Sequence, residues 1–222
     1  MTVEAGQLEV GMMELGRLGL AARLCIPEKA RGVVLCIDES GSRLLDACHG
    51  GVASALNDAA FATLAIDLLT TNEHADEAVA GYRRNDIPLL ASRVVSATDW
   101  LSGDARTGNL PIGYFGTGVG GAVALAAAAD RPAAVTAIVA YNGRPLLARA
   151  ALPQVRAPTL LITFEYDTAL SKLNRAGLSQ MFCQKCLEIV PAVHADKIEP
   201  LKEVGRLARV WFERYLVLPP DD

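Results

Sequence analysis

The chain has 222 residues, 51% of them apolar, and a formal net charge of −4 at neutral pH, which fits a single α/β domain over residues 1–222 with a large core. No basic cluster runs through it, so nucleic acid and anionic membrane are poor partners, and no segment approaches the roughly 20 apolar residues needed to span a bilayer. The opening MTVEAGQLEVGMMELG contains acids and lacks a basic start plus an apolar run, so no signal peptide is read and a cytoplasmic location is expected.

In chain order, Leu18 to Pro27 (LGLAARLCIP) reads as an edge strand. Arg31 to Asp38, Ala62 to Asp67, Pro111 to Gly116, Val135 to Tyr141, Thr159 to Phe164 and Cys186 to Val190 read as buried parallel strands. Near-continuous apolar runs of this length are what a sheet covered on both faces requires. Thr70 to Arg84 is the one long irregular stretch; it is read as lining an entrance, with His74 in the exposed acidic run NEHADE. Helices are expected over Ile87 to Leu101, where Pro88 falls in the first turn, and over Val119 to Ala129, Ser171 to Met181 and Pro200 to Leu216. Alternating strands and helices predict a doubly wound, mostly parallel sheet flanked by helices, with no large cap domain.

The five cysteines, Cys25, Cys36, Cys48, Cys183 and Cys186, are odd in number and scattered, which argues against a disulfide framework. The C-x-x-C at Cys183 and Cys186 lacks two further ligands for zinc, so no metal and no cofactor are expected. Ligands of such sheets bind beyond the carboxyl ends of the strands. Those ends are Asp38, Asp67, Gly116 to Gly118, Asn142, Asp167 and His194.

One of these ends, GYFGTGVGGAVAL (Gly113 to Leu125), joins an apolar strand to a small-residue helix through a glycine-dense turn. That is the outline of a nucleophile elbow, G-x-S-x-G, but its middle residue is Gly118. Asp167 follows the strand TLLITF and His194 follows CLEIV, giving the order elbow, acid, histidine. On these motifs, together with GVVL, ATLAIDLLT, DIPLLASRVVSATDWL and NGRP, nearly the whole chain resembles the dienelactone hydrolase-like branch of the α/β-hydrolases. The resemblance implies a Ser or Cys where Gly118 stands. It also implies an oxyanion hole from the backbone N–H of Val119 and one from the loop Asp38-Glu39-Ser40-Gly41. Glu39 looks like the counterpart of a glutamate that the family keeps near its nucleophile.

An acyl-enzyme route needs an attacking oxygen or sulfur beside a base, and Gly118 supplies neither. Thr117 is adjacent, but the elbow aims position 118 into the site. Cys48, next to His49, fits no triad logic. His194 reads as a base oriented by Asp167 or as a relic. Asp167 is equally a strand-end turn former, and Asp38 and Glu39 are site acids or a solvated turn. Thr117 and Arg144 are candidate substrate contacts, Arg144 equally a structural cap. Four functions stay open. The first is a serine-independent catalyst in which His194, Asp167, Glu39 and Asp38 move protons on a small molecule, by cyclisation, elimination, isomerisation or ring opening. The second is a pseudohydrolase that binds without turnover. The third is a true hydrolase whose nucleophile was replaced by design, and the last is residual hydrolysis by direct water attack or a relocated thiol. The end YLVLPPDD reads as a homodimer interface or as the last helix docking and stopping at Pro219.

Overall fold

The apolar runs become the centre of one eight-stranded sheet with order β1-β2-β4-β3-β5-β6-β7-β8. The structure, a computed structural model, describes residues 7–15, 18–37, 51–80, 85–191 and 198–216. The strands are β1 (Gln7–Leu15), β2 (Leu18–Ile26), β3 (Gly32–Ile37), β4 (Phe61–Ile66), β5 (Ile112–Thr117), β6 (Val135–Tyr141), β7 (Thr159–Phe164) and β8 (Lys185–Val190). From β4 to β8 all pairings are parallel, while β1 with β2 and β2 with β4 run antiparallel. The expected mostly parallel, doubly wound sheet is therefore the observed one.

The period of two sorts the strand residues onto two cores. Val33, Leu35 and Ile37 of β3 join one cluster with α3 (Ile87–Gly103) and α4 (Val119–Asp130). Val34 and Cys36 join the other with α1 (Val52–Asp58) and α6 (Ile198–Tyr215). On that second face the wholly buried Phe212 packs across Phe61, ring centroids 6.3 Å apart. Burial of such a side chain contributes roughly 1.5–3 kcal/mol. The remaining helices are α2 (Thr71–Ala80) and α5 (Thr168–Leu178), with short 3-10 turns at Pro145–Ala148 and Leu152–Gln154. No helix among the described residues is long and apolar enough to cross a membrane.

Three sequence expectations need correction. The stretch after Thr70 is not irregular. Thr70 accepts the N–H of Glu73 on its hydroxyl at 3.3 Å, and Glu73 Oε2 accepts the N–H of Thr70 at 2.9 Å. This reciprocal capping box starts α2. His74 accordingly lies on a helix and is partly buried, not in an exposed loop. The helix expected from Ser171 starts at Thr168, because the Asp167 carboxylate caps it, accepting from Leu170 N–H at 2.8 Å. Strand β1 was not expected.

One close approach sets the position of the site. A Cβ at Gly120 would overlap the carbonyl oxygen of Ile37 and lie 2.9 Å from its carbon. The start of α4 thus rests on the last residue of β3. Gly120→Ala is expected to destabilise the fold by about 3 kcal/mol or more, since the clash is with backbone that no rotamer change relieves. Urea unfolding at unchanged m-value checks it.

Candidate active site

The turn after β5 holds the backbone of the elbow. Gly118 has φ 52 and ψ −120, the geometry of the first central position of a type II′ turn, which favours glycine. It is pinned on both sides to the loop after β6. Its N–H donates to the Tyr141 carbonyl at 3.1 Å, and its carbonyl accepts from Arg144 N–H at 3.1 Å. Helix α4 begins at the next residue, with no acid in its first turn and no side-chain cap. The positive end of its dipole therefore stands at the turn, as it would for a developing oxyanion.

The carboxyl ends of β7 and β8 lie side by side. Phe164 is in register with Val190, and Glu165 N–H donates to the Val190 carbonyl at 3.0 Å. Asp167 stands three residues past β7, half-buried, with Oδ1 on the α5 cap. No partner is found for its other oxygen among the described residues. The sequence left Asp167 as triad acid or turn former, and the capping role is the one the described residues display. Tyr141, Phe164 and Tyr166 form an aromatic run along this rim. Tyr141 meets Phe164 edge-on at 5.5 Å, and Phe164 stacks on Tyr166 at 5.2 Å. Burial pushes the Tyr141 phenol up to about 12, so it stays protonated at neutral pH.

Asn142, between these anchors, has φ 46 and a buried side-chain oxygen without a hydrogen-bond partner among the described residues. Asn is among the non-glycine residues that take positive φ most readily, which suits it to this turn. The sequence named Asn142 as a strand end but gave it no role; the NG pair after an apolar run was its signal.

Of the residues singled out from sequence, Asp38, Glu39, Ser40, Cys48, His49 and His194 lie outside the described residues. Gly118, Val119 and Thr117 are brought together at the carboxyl end of β5, with Val119 buried and Thr117 half-buried. Arg144 serves through its backbone, entering the 3-10 turn, while its side chain is exposed. Cys25, Cys183 and Cys186 are free thiols, and burial raises Cys183 and Cys186 above the usual thiol range.

Sequence reasoning missed a polar cluster at the end of β4. Asp67 Oδ2 lies 2.7 Å from His74 Nε2, and Asp67 Oδ1 accepts the Leu69 N–H at 3.0 Å. Beside it, Glu73 forms a two-pronged pair with the buried Arg93, at 2.8 and 2.6 Å. Arg93 also donates to the Leu68 carbonyl. The hydrogen bonds from Arg93 hold the Glu73 carboxyl down to about 2. The T-x-x-E spacing at Thr70 to Glu73 was the available signal.

Comparison with known proteins places this geometry. The model of the Dienelactone hydrolase family matches residues 20–196. A crystal structure of a dienelactone hydrolase from Anabaena variabilis ATCC 29413 superposes with TM-score 0.91 at 42% identity, covering 96% of this chain and 100% of that one. The esterase domain of a Rhodothermus marinus protein shares the fold, with TM-score 0.70 at 18% identity over 95% of this chain and 100% of that one. A Mycobacterium tuberculosis (strain ATCC 25618 / H37Rv) protein named "Putative phosphoribosyl transferase Rv0571c" is 40% identical over 92% of this chain. The chain spans 46% of the length of that relative, so the transferase name describes a protein of which this fold is less than half. The carboxyl-edge elbow, the strand order and the family match together make the chain a member of the dienelactone hydrolase family.

Proposed function

We propose that the chain is a hydrolase-fold catalyst that works without an acyl-enzyme, moving protons on a small molecule bound over Gly118. The observation that carries this reading is the elbow itself. The backbone keeps the turn between strand and helix in which a nucleophile elbow presents its side chain, at a residue that has none. A substrate carbonyl or carboxylate there meets the positive end of α4 instead of an attacking hydroxyl. His194, four residues past the end of β8, acts as base and acid. Asp167 leaves the adjoining strand end and offers its second carboxylate oxygen to orient the imidazole. Glu39 and Asp38, which follow β3 and the Ile37–Gly120 contact in the chain, supply the proton donor.

The test is proton exchange into, and isomerisation or ring opening of, a panel of small enolisable lactones in D2O, followed by NMR. Turnover by the wild-type chain that falls roughly 10² to 10⁴-fold in His194→Ala supports the reading. Turnover indifferent to His194 overturns it.

A second reading, a binding module without turnover, draws on one observation: Asp167 already spends an oxygen on capping α5. Ligand affinity that survives His194→Ala, with no product formed, would favour it.

A further inference from the structure

Asp67 and His74 lie on the same edge of the sheet as the elbow, two strands away. Strand β4 pairs with β3 and β3 with β5, both parallel, so the residues after β4 and β5 emerge about 10 Å apart at ordinary strand spacing. Asp67 is held by its own backbone, donating to the Ala21 carbonyl at 2.8 Å. Its carboxylate divides its two oxygens between the Leu69 N–H and His74 Nε2. Against an accepting carboxylate oxygen, the imidazole in its neutral form carries its proton on Nε2 and presents Nδ1 as a lone pair. The two side chains are 11% and 21% exposed: sheltered, yet reachable.

The scaffold around this pair is rigid and does not use the imidazole. Thr70 and Glu73 start the helix, and Arg93 ties Glu73 and the Leu68 carbonyl together. The backbone on either side of the pair is thus fixed by other groups, as a preorganised site requires. Among the described residues, the hydrogen bond of the imidazole goes to Asp67.

We propose that Asp67 and His74 form a second acid–base site at the β4 end of the rim, which takes the hydroxyl or enol of a small ligand. For an enol, the O–H bond breaks as its proton passes to Nδ1, the electron pair shifts through oxygen to the α-carbon, and the imidazolium, stabilised by the Asp67 carboxylate, gives that proton to the α-carbon to leave the keto form; a hydroxyl is held by its hydrogen bond to Nδ1 without transfer. This inference uses neither Gly118 nor His194 and stands or falls apart from the elbow reading.

Two measurements on the wild-type chain test it. Long-range 15N–1H correlation, assigned with His74→Gln, reads the tautomer, and diethyl pyrocarbonate labelling with peptide mass mapping reads access to Nδ1. The expected result is a neutral Nε2–H tautomer and carbethoxylation of His74 within about tenfold of the rate of free N-acetylhistidine. An Nδ1–H tautomer, or a His74 that resists labelling in the folded chain, overturns the proposal. Because Gln retains an N–H for Asp67, an unchanged melting temperature in His74→Gln is expected, and a collapse of the fold assigns the imidazole a structural role instead.

Discussion

Gly118→Ser is expected to raise hydrolysis of an activated ester at least about 10²-fold while lowering stability. The gain follows from the triad arrangement, in which the nucleophile, base and orienting acid act as a unit and the loss of one removes most of the rate. The loss follows from the backbone. At φ 52 and ψ −120 an L side chain is strained, by about 1–3 kcal/mol, which for a domain of this size lowers the melting temperature by roughly 2–4 °C per kcal/mol. Both changes are read on one sample, by an ester assay and a thermal melt. A variant that melts lower but stays inactive would mean that the base and acid no longer converge on position 118.

The second large effect concerns stability. Arg93→Met is expected to destabilise the fold by about 3–5 kcal/mol, because it removes the guanidinium that neutralises the Glu73 carboxylate, only 14% exposed. The pH dependence gives the sign. Glu73 is held at about 2, below its ordinary 4.5, so the folded form binds its proton less readily than the unfolded chain. Its contribution is full above about 4.5 and is lost as pH falls toward 2. Acid unfolding of the wild type should steepen in that window, and Arg93→Met should flatten it. The pairs Arg131–Asp99, Arg106–Asp104 and Arg206–Glu203 also lower carboxyl pKa values. They are present in both proteins, so the difference between the two acid curves isolates Glu73.

The central strands were legible because both of their faces are buried. Ile112–Thr117 or Thr159–Phe164 has no solvent side to interrupt its apolar run, so sequence and structure agree to within a residue or two. Strand β1 was not legible, since QLEVGMMEL carries two acids and a glycine and pairs only with β2. Helix α2 was hidden by its composition: TNEHADEAVA reads as a solvated acidic run. Its start is set by the Thr70–Glu73 capping box, and Arg93, 20 residues further on, holds Glu73 in place. The elbow was legible from glycine spacing, because Gly118 needs its φ and Gly120 needs its closeness to Ile37. Asp67–His74 escaped because its partners are set by the capping box between them, which the acidic composition masked. Asp167 was legible as a position; its capping of α5 depended on where that helix begins.

The most direct test is to treat wild type and Gly118→Ser with a fluorophosphonate and locate the adduct by mass spectrometry. The expected result is no adduct on the wild type and a stoichiometric adduct on residue 118 of the variant, suppressed by adding His194→Ala. A wild-type chain labelled at any other hydroxyl or thiol would contradict the account, because the nucleophile would then have moved and not been lost.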